Sequence, residues 1–176
     1  MTVKLPDVSE FQSPASGNAP NWAGIKSQNG GAAIIRVGYG NAHLDGMLVS
    51  NRATIKSLKF GFCGLYHYLR AGQDVRSQAN AFINWIGPNL NKGEIPILDL
   101  EEGLGDQSGR ANQWFSIIDD AYDLISLPLS QRSWLYSGQN FAVSSSATPA
   151  AKARPRTGCG WLRSPATPTS SPISRP

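Results

Sequence analysis

The chain has 176 residues, 40% of them hydrophobic, and a formal net charge of +4. That is enough for one domain with a real core, but short of the roughly 250 residues of a full eight-stranded β/α barrel. No apolar run approaches the roughly 20 residues of a membrane span, and two cysteines, Cys63 and Cys159, exclude a disulfide framework. The charge is a property of the tail. Residues 144–176 hold five basic side chains (Lys152, Arg154, Arg156, Arg163, Arg175) and no acidic one, whereas all 12 acidic residues lie between Asp7 and Asp123. A nucleic-acid binder needs a basic stripe on its folded surface, and the body of this chain offers none. The first residues, Met1–Phe11, lack the apolar stretch of a secretory signal.

Five apolar segments read as strands: Val3–Ser9, Ala33–Val37, Phe62–Tyr68, Ile95–Leu100 and Trp134–Tyr136. Their near-continuous apolar character suits strands covered on both faces of a parallel sheet. Four helices are predicted between them. Asn21–Gln28 follows Pro20, a favoured helix-start residue, and Leu48–Leu58 has apolar residues near helical spacing. In Asp74–Ile86, Asp74 is placed to cap a stripe of Val75, Ala79, Phe82, Ile83 and Ile86. In Arg110–Ile125 the stripe is Trp114, Ile117, Ile118, Ala121 and Ile125, ending before Pro128. Strand and helix in alternation specify an α/β fold. Cys63, inside an apolar run, is expected to be a buried thiol. The alternation stops near Ala142. Residues 144–176, rich in Ser, Pro, Ala and Thr, have no periodic apolar face and are expected to form no ordered element.

Asp99 and Glu101 close the run IPILDLEEG. Residues i and i+2 of a strand share a face, about 6.5–7 Å apart. At the C-terminal end of a barrel strand they stand where barrel enzymes place their chemistry. Two carboxylates this close drive one pKa up and the other down, the acid-plus-carboxylate pair that glycosidic cleavage requires. An acid at a strand end also serves simply to cap the next element, and spacing alone does not separate the two readings. Asp7, ending the first strand, would project toward the same mouth or form a turn. Tyr66, His67 and Tyr68 end the third strand, as sugar-stacking aromatics or as core. With His43 the only other histidine, no zinc spacing exists. There is no nucleophile elbow, and Gly38 and Gly40 lack the third glycine of a phosphate loop.

In order along the chain, DVSEFQ (Asp7–Gln12), IIRVGYG (Ile34–Gly40), LDGMLVSN (Leu44–Asn51), GLYHYLRAG (Gly64–Gly72), SQANAF (Ser77–Phe82), ILDLEE (Ile97–Glu102) and WLYSG (Trp134–Gly138) resemble the segments of glycoside hydrolase family 25, the Chalaropsis-type lysozymes. The resemblance implies a TIM-like β/α barrel over residues 1–143. It also implies cleavage of the β-1,4 bond between N-acetylmuramic acid and N-acetylglucosamine of bacterial peptidoglycan. Carried over by position, Glu101 is the general acid, with Asp99 and Asp7 in the same site. Tyr66, His67, Tyr68, Arg36 and Tyr136 are expected to contact substrate. The family uses neither metal nor organic cofactor, and a monomer without nucleic-acid or membrane partners is expected. Whether an enzyme carboxylate or the substrate's acetamido group assists the second step stays open.

Three further strands expected of such a barrel are not visible after Phe141. The abrupt change of composition reads as a shift of reading frame near residues 144–147, which translation of the other two frames tests. A five-stranded remnant would leave open sheet edges, so a poorly stable and weakly active chain is expected. Two other readings are a peptidoglycan-binding module of the same ancestry without turnover, and a barrel glycosidase acting on chitin. The lack of a leader fits a phage-type enzyme released to the wall from the host cytoplasm.

Overall fold

The computed structural model describes residues 5–12, 19–103, 106–137 and the backbone of 160–163. The elements follow in order: β1 (Asp7–Val8), α1 (Trp22–Asn29), β2 (Ala32–Tyr39), β3 (His43–Leu44), α2 (Leu48–Ser57), β4 (Phe62–Tyr68), α3 (Val75–Ile86), β5 (Glu94–Leu100), α4 (Ser108–Ala121), β6 (Trp134–Ser137) and β7 (Gly160–Arg163). A short 3-10 turn, Glu10–Gln12, follows β1. The described strands form one sheet in the order β1-β2-β4-β5-β6-β7, with β3 paired to β2. Neighbours from β1 to β6 are parallel, while β3 and β7 are antiparallel. This is a mixed α/β fold with a mostly parallel sheet. Strand follows helix as in a β/α barrel, and among the described residues no pairing joins β1 to β7.

The two faces of the sheet have separate tasks. Ala33, Ile35, Val37, Cys63, Leu65, Leu98, Leu100 and Leu135 point to the helices, where they pack against Leu48, Ile55, Val75, Ala79, Phe82, Trp114 and Ile118. The alternate residues line the opposite, inner face, as a period of two requires. Its lower part is filled by Ile34 and Ile97, both fully buried, which meet over Gly64. A Cβ on Gly64 would lie 2.5 Å from Ile97 Cδ1 and 3.0 Å from Ile34 Cγ1, so only glycine lets these two close the floor. Phe62 and Trp134 add a ring contact of 5.2 Å between centroids on the same face.

The helices obey local signals. Asp74 caps α3, its Oδ2 accepting from Ser77 N at 2.7 Å. The bidentate pair of Arg52 with Glu94, 2.7 Å on each arm, ties α2 to the start of β5. Helix α4 ends at Ala121, four residues earlier than the apolar stripe predicts, and Asp123 takes a left-handed φ of 51°. Ile125 is therefore 47% exposed rather than on the buried stripe. Strand β7 lies in the stretch expected to lack structure. Its antiparallel pairing covers the outer edge of β6, and edge groups can be satisfied by backbone alone, whatever the side-chain pattern. The remainder of residues 138–176, with the proposed frame change, lies outside the described residues, as does Cys159. Cys63 is buried and free, and burial pushes its thiol up to about 12.

Candidate active site

The C-terminal ends of β1, β4 and β5 bring the acidic residues together on the inner face. Asp99 pairs in register with Tyr68 of β4 and Tyr136 of β6. It is 8% exposed, and its Oδ1 has no hydrogen-bond partner. Burial pushes its carboxyl up to about 8, with the negative charges of Glu101 and Asp7 adding to the rise. At neutral pH Asp99 is therefore mostly a neutral acid. Glu101 stands one residue beyond the end of β5 and is exposed to solvent.

Asp7 is exposed, yet the surrounding protein desolvates its carboxyl enough to raise its pKa. A hydrogen bond from Tyr66 and the charge of Arg36 oppose the rise, and Glu101 adds to it. Tyr66 is in turn held protonated, first by burial and then by Asp7, with Asp99 acting in the same sense. Tyr68 is pushed up to about 12 by burial and by Glu102, with Asp99 and Glu101 contributing. Asp7, Asp99 and Glu101 thus share one electrostatic neighbourhood with the two tyrosines.

Two of the expected substrate contacts have a different position. His67 is fully buried on the helix-facing side, 6.0 Å between centroids from Trp85 and 6.1 Å from Phe82. The alternation that turns Tyr66 and Tyr68 inward must turn His67 outward, so the three aromatics cannot share a site. Burial lowers its pKa to about 4 against the opposing influence of Gln78. The Gln78 amide nitrogen is occupied by the carbonyls of Arg70 and Gln73, so Gln78 offers His67 only a weak contact and neither ring nitrogen makes a well-formed hydrogen bond. Arg36 lies beside the carboxylates but is 7% exposed, with Nε on Asp45 Oδ2 and Nη2 on Glu10 Oε1, both at 2.8 Å. Its charge acts on Asp7 and Tyr66 through space, while its hydrogen bonds go to its own ion pairs.

Those ion pairs are the part of the site that sequence reasoning missed. Glu10 Oε1 also meets His43 Nε2 at 2.8 Å, and Glu10 Oε2 accepts from Gly46 N at 3.0 Å. The Gly46 amide, then His43 and Arg36, hold Glu10 below its ordinary pKa despite partial burial. Asp45 Oδ2 also accepts from Glu10 N, which locks the turn after β1 to the turn before α2. On the other rim, Glu102 Oε2 accepts from Ala71 N at 3.0 Å and pairs with Arg70 at 3.2 Å. The segments DVSEFQ and LDGMLVSN carry Glu10 and Asp45, yet nothing in their spacing announces that both converge on Arg36.

Three carboxyl groups at the ends of β1 and β5, Asp99 buried and Asp7 and Glu101 exposed, have the composition of a glycoside-cleaving centre. No three His, Cys, Asp or Glu side chains among the described residues are grouped to hold a metal. No described helix is long and apolar enough to cross a membrane.

Several solved structures share the fold. One is a family 25 glycosyl hydrolase from Bacillus anthracis, 20% identical with a TM-score of 0.59, the match covering 69% of this chain and 57% of that one. A second is the catalytic domain of endolysin ply40 from bacteriophage P40 of Listeria monocytogenes, 22% identical with a TM-score of 0.59, covering 78% and 64%. A third is the bacterial lysozyme from Streptomyces coelicolor, 20% identical with a TM-score of 0.53, covering 74% and 60%. The chain thus spans less than two thirds of each. A search of curated protein sequences finds no match. The family model for glycosyl hydrolases family 25 matches residues 6–167, running past residue 143 into the compositionally distinct tail. With its carboxylates at the ends of β1 and β5 and most of its length inside that match, the chain belongs to glycosyl hydrolase family 25.

Proposed function

We propose that this chain hydrolyses the β-1,4 bond between N-acetylmuramic acid and N-acetylglucosamine in bacterial peptidoglycan, with Glu101 as general acid. The observation that carries the proposal is the unlike pair at the end of β5: a buried Asp99 with its carboxyl near 8 and an exposed Glu101 two residues on. An oxocarbenium-like transition state needs a proton on the leaving oxygen and negative charge close by. Glu101 has the reach to meet a glycosidic oxygen at the mouth, whereas Asp99 sits behind it. The negative charge of Glu101 is one of the causes that raise the Asp99 carboxyl. The assignment of the proton donor to Glu101 rests on its exposed place at the mouth and on its match to the family's Asp-x-Glu strand. Asp7, held by Tyr66 and facing the charge of Arg36, supplies a further carboxylate to the developing positive charge.

The place of action that follows is the bacterial wall, reached by phage-type release or by another route. The test is the release of reducing ends from purified peptidoglycan by the full chain, beside Glu101→Gln. Turnover by the parent, lost in the variant, supports the reading. Equal binding with no turnover by either assigns the chain to a binding module, and release from chitin in place of peptidoglycan changes the substrate.

A further inference from the structure

Phe11 follows Asp7 by four residues and is 75% exposed, although it is a large apolar side chain beside the ion pairs of Arg36. Its inner ring face lies on the Arg36 guanidinium, 4.7 Å from centroid to Cζ. Arg36 is the group whose charge reaches Asp7 and Tyr66, so Phe11 stands one side chain away from the carboxylates. The backbone that carries it is fixed on both sides. Gln12 Oε1 accepts from Ser9 N at 2.6 Å and Ser9 Oγ at 2.7 Å, and Glu10 N donates to Asp45 Oδ2 at 3.0 Å. A ring needed only to shield the Arg36 ion pairs would bury itself in doing so. Most of Phe11 stays in water instead, as a flat apolar face presented from a rigid turn.

We propose that Phe11 is a carbohydrate-stacking platform, receiving the apolar C–H face of a sugar ring adjacent to the one that sits at Asp7, Asp99 and Glu101. The inference deepens the glycan-cleaving reading and rests on it for the class of ligand. A pyranose ring carries its hydroxyl groups around the edge and C–H bonds on its faces. It therefore stacks on an aromatic ring while its edge stays hydrated or bonded to nearby polar groups. A lone ring is too small for a protein partner, whose interfaces need far larger contiguous area. Because the turn is held in place before binding, little ordering entropy opposes the stack.

The experiment titrates soluble glycan strands of alternating N-acetylglucosamine and N-acetylmuramic acid into the full chain by calorimetry, beside Phe11→Leu, Phe11→Ala and Phe11→Trp. Leucine keeps an apolar cover over Arg36 but removes the aromatic face. The expected result is a loss of affinity of about three- to ten-fold for the leucine and alanine variants, with recovery in the tryptophan variant. Parental affinity in the leucine variant overturns the proposal, as does failure of the parent to bind glycan. Reducing-end release by the parent decides the underlying function separately. Turnover with normal binding by Phe11→Leu defeats the platform alone. Phe11-dependent binding without turnover defeats the hydrolase reading and leaves the platform standing.

Discussion

Replacing Asp99 by Asn should change how the stability of this chain depends on pH more than any other single substitution in the site. Asp99 is 8% exposed, and its carboxyl is moved from an ordinary 3.8 to about 8. Between those values the folded chain holds a proton there that the unfolded chain has released. The folded-state pKa is the higher one, so the stabilising contribution is complete below about pH 4 and is lost as pH rises toward 8. The slope is at most about −1.4 kcal/mol per pH unit, and the whole effect at most roughly 5–6 kcal/mol. Coupling to Glu101 and Asp7 spreads the transition over a wider range. Asn cannot ionise, so Asp99→Asn should become progressively more stable than the parent as pH rises, by up to about 4 kcal/mol at pH 7. Urea unfolding of both proteins at intervals from pH 4 to pH 8.5 measures the difference. Two curves offset by a constant amount would show that Asp99 is not a neutral buried acid, and the proton assignment would fall with it.

Three further outcomes are expected. Glu101→Gln should lower the rate of reducing-end release by about 10²- to 10⁴-fold and shift unfolding free energy by no more than about 0.5 kcal/mol, because the side chain is exposed; both are read on one preparation. Arg36→Ala removes the guanidinium shared by the buried Asp45 carboxylate and Glu10, and should cost about 3–5 kcal/mol in urea unfolding. Asp74→Ala removes the side-chain cap of α3 and should cost about 0.5–2 kcal/mol in urea unfolding.

The strands β2, β4 and β5 are legible because both faces of each are apolar over most of their length, and the Asp74 cap is legible because its partner is three residues away. The site is legible where it follows the strand repeat, as Asp99 does. It is illegible where it depends on the third dimension. Glu10 meets Arg36 across 26 residues and Asp45 across 35, separations that leave no trace in spacing. His67 shows the limit of a contiguous motif. Tyr66, His67 and Tyr68 read as one triplet, but a strand presents adjacent residues to opposite environments, and only the position of α3 settles which of them meets the helices. The short β3 and the irregularity between Arg36 and Gly38 escape notice because neither has a compositional mark. Strand β7 lies in a stretch whose composition gives no sign of it.

The order of the sheet bears on how the molecule is made. From β1 to β6 each parallel strand takes its place beside one already synthesised, and none of these pairings waits for a later segment to be inserted between its members. Asp7, Arg36, Tyr66, Asp99 and Glu101 all lie within the first 101 residues. Domains fold from the N-terminus as the ribosome delivers them, so the groups proposed to do the chemistry can meet before the tail leaves the exit tunnel. Changes confined to that tail then act on the edge of a nearly finished sheet rather than on the assembly of its acidic centre.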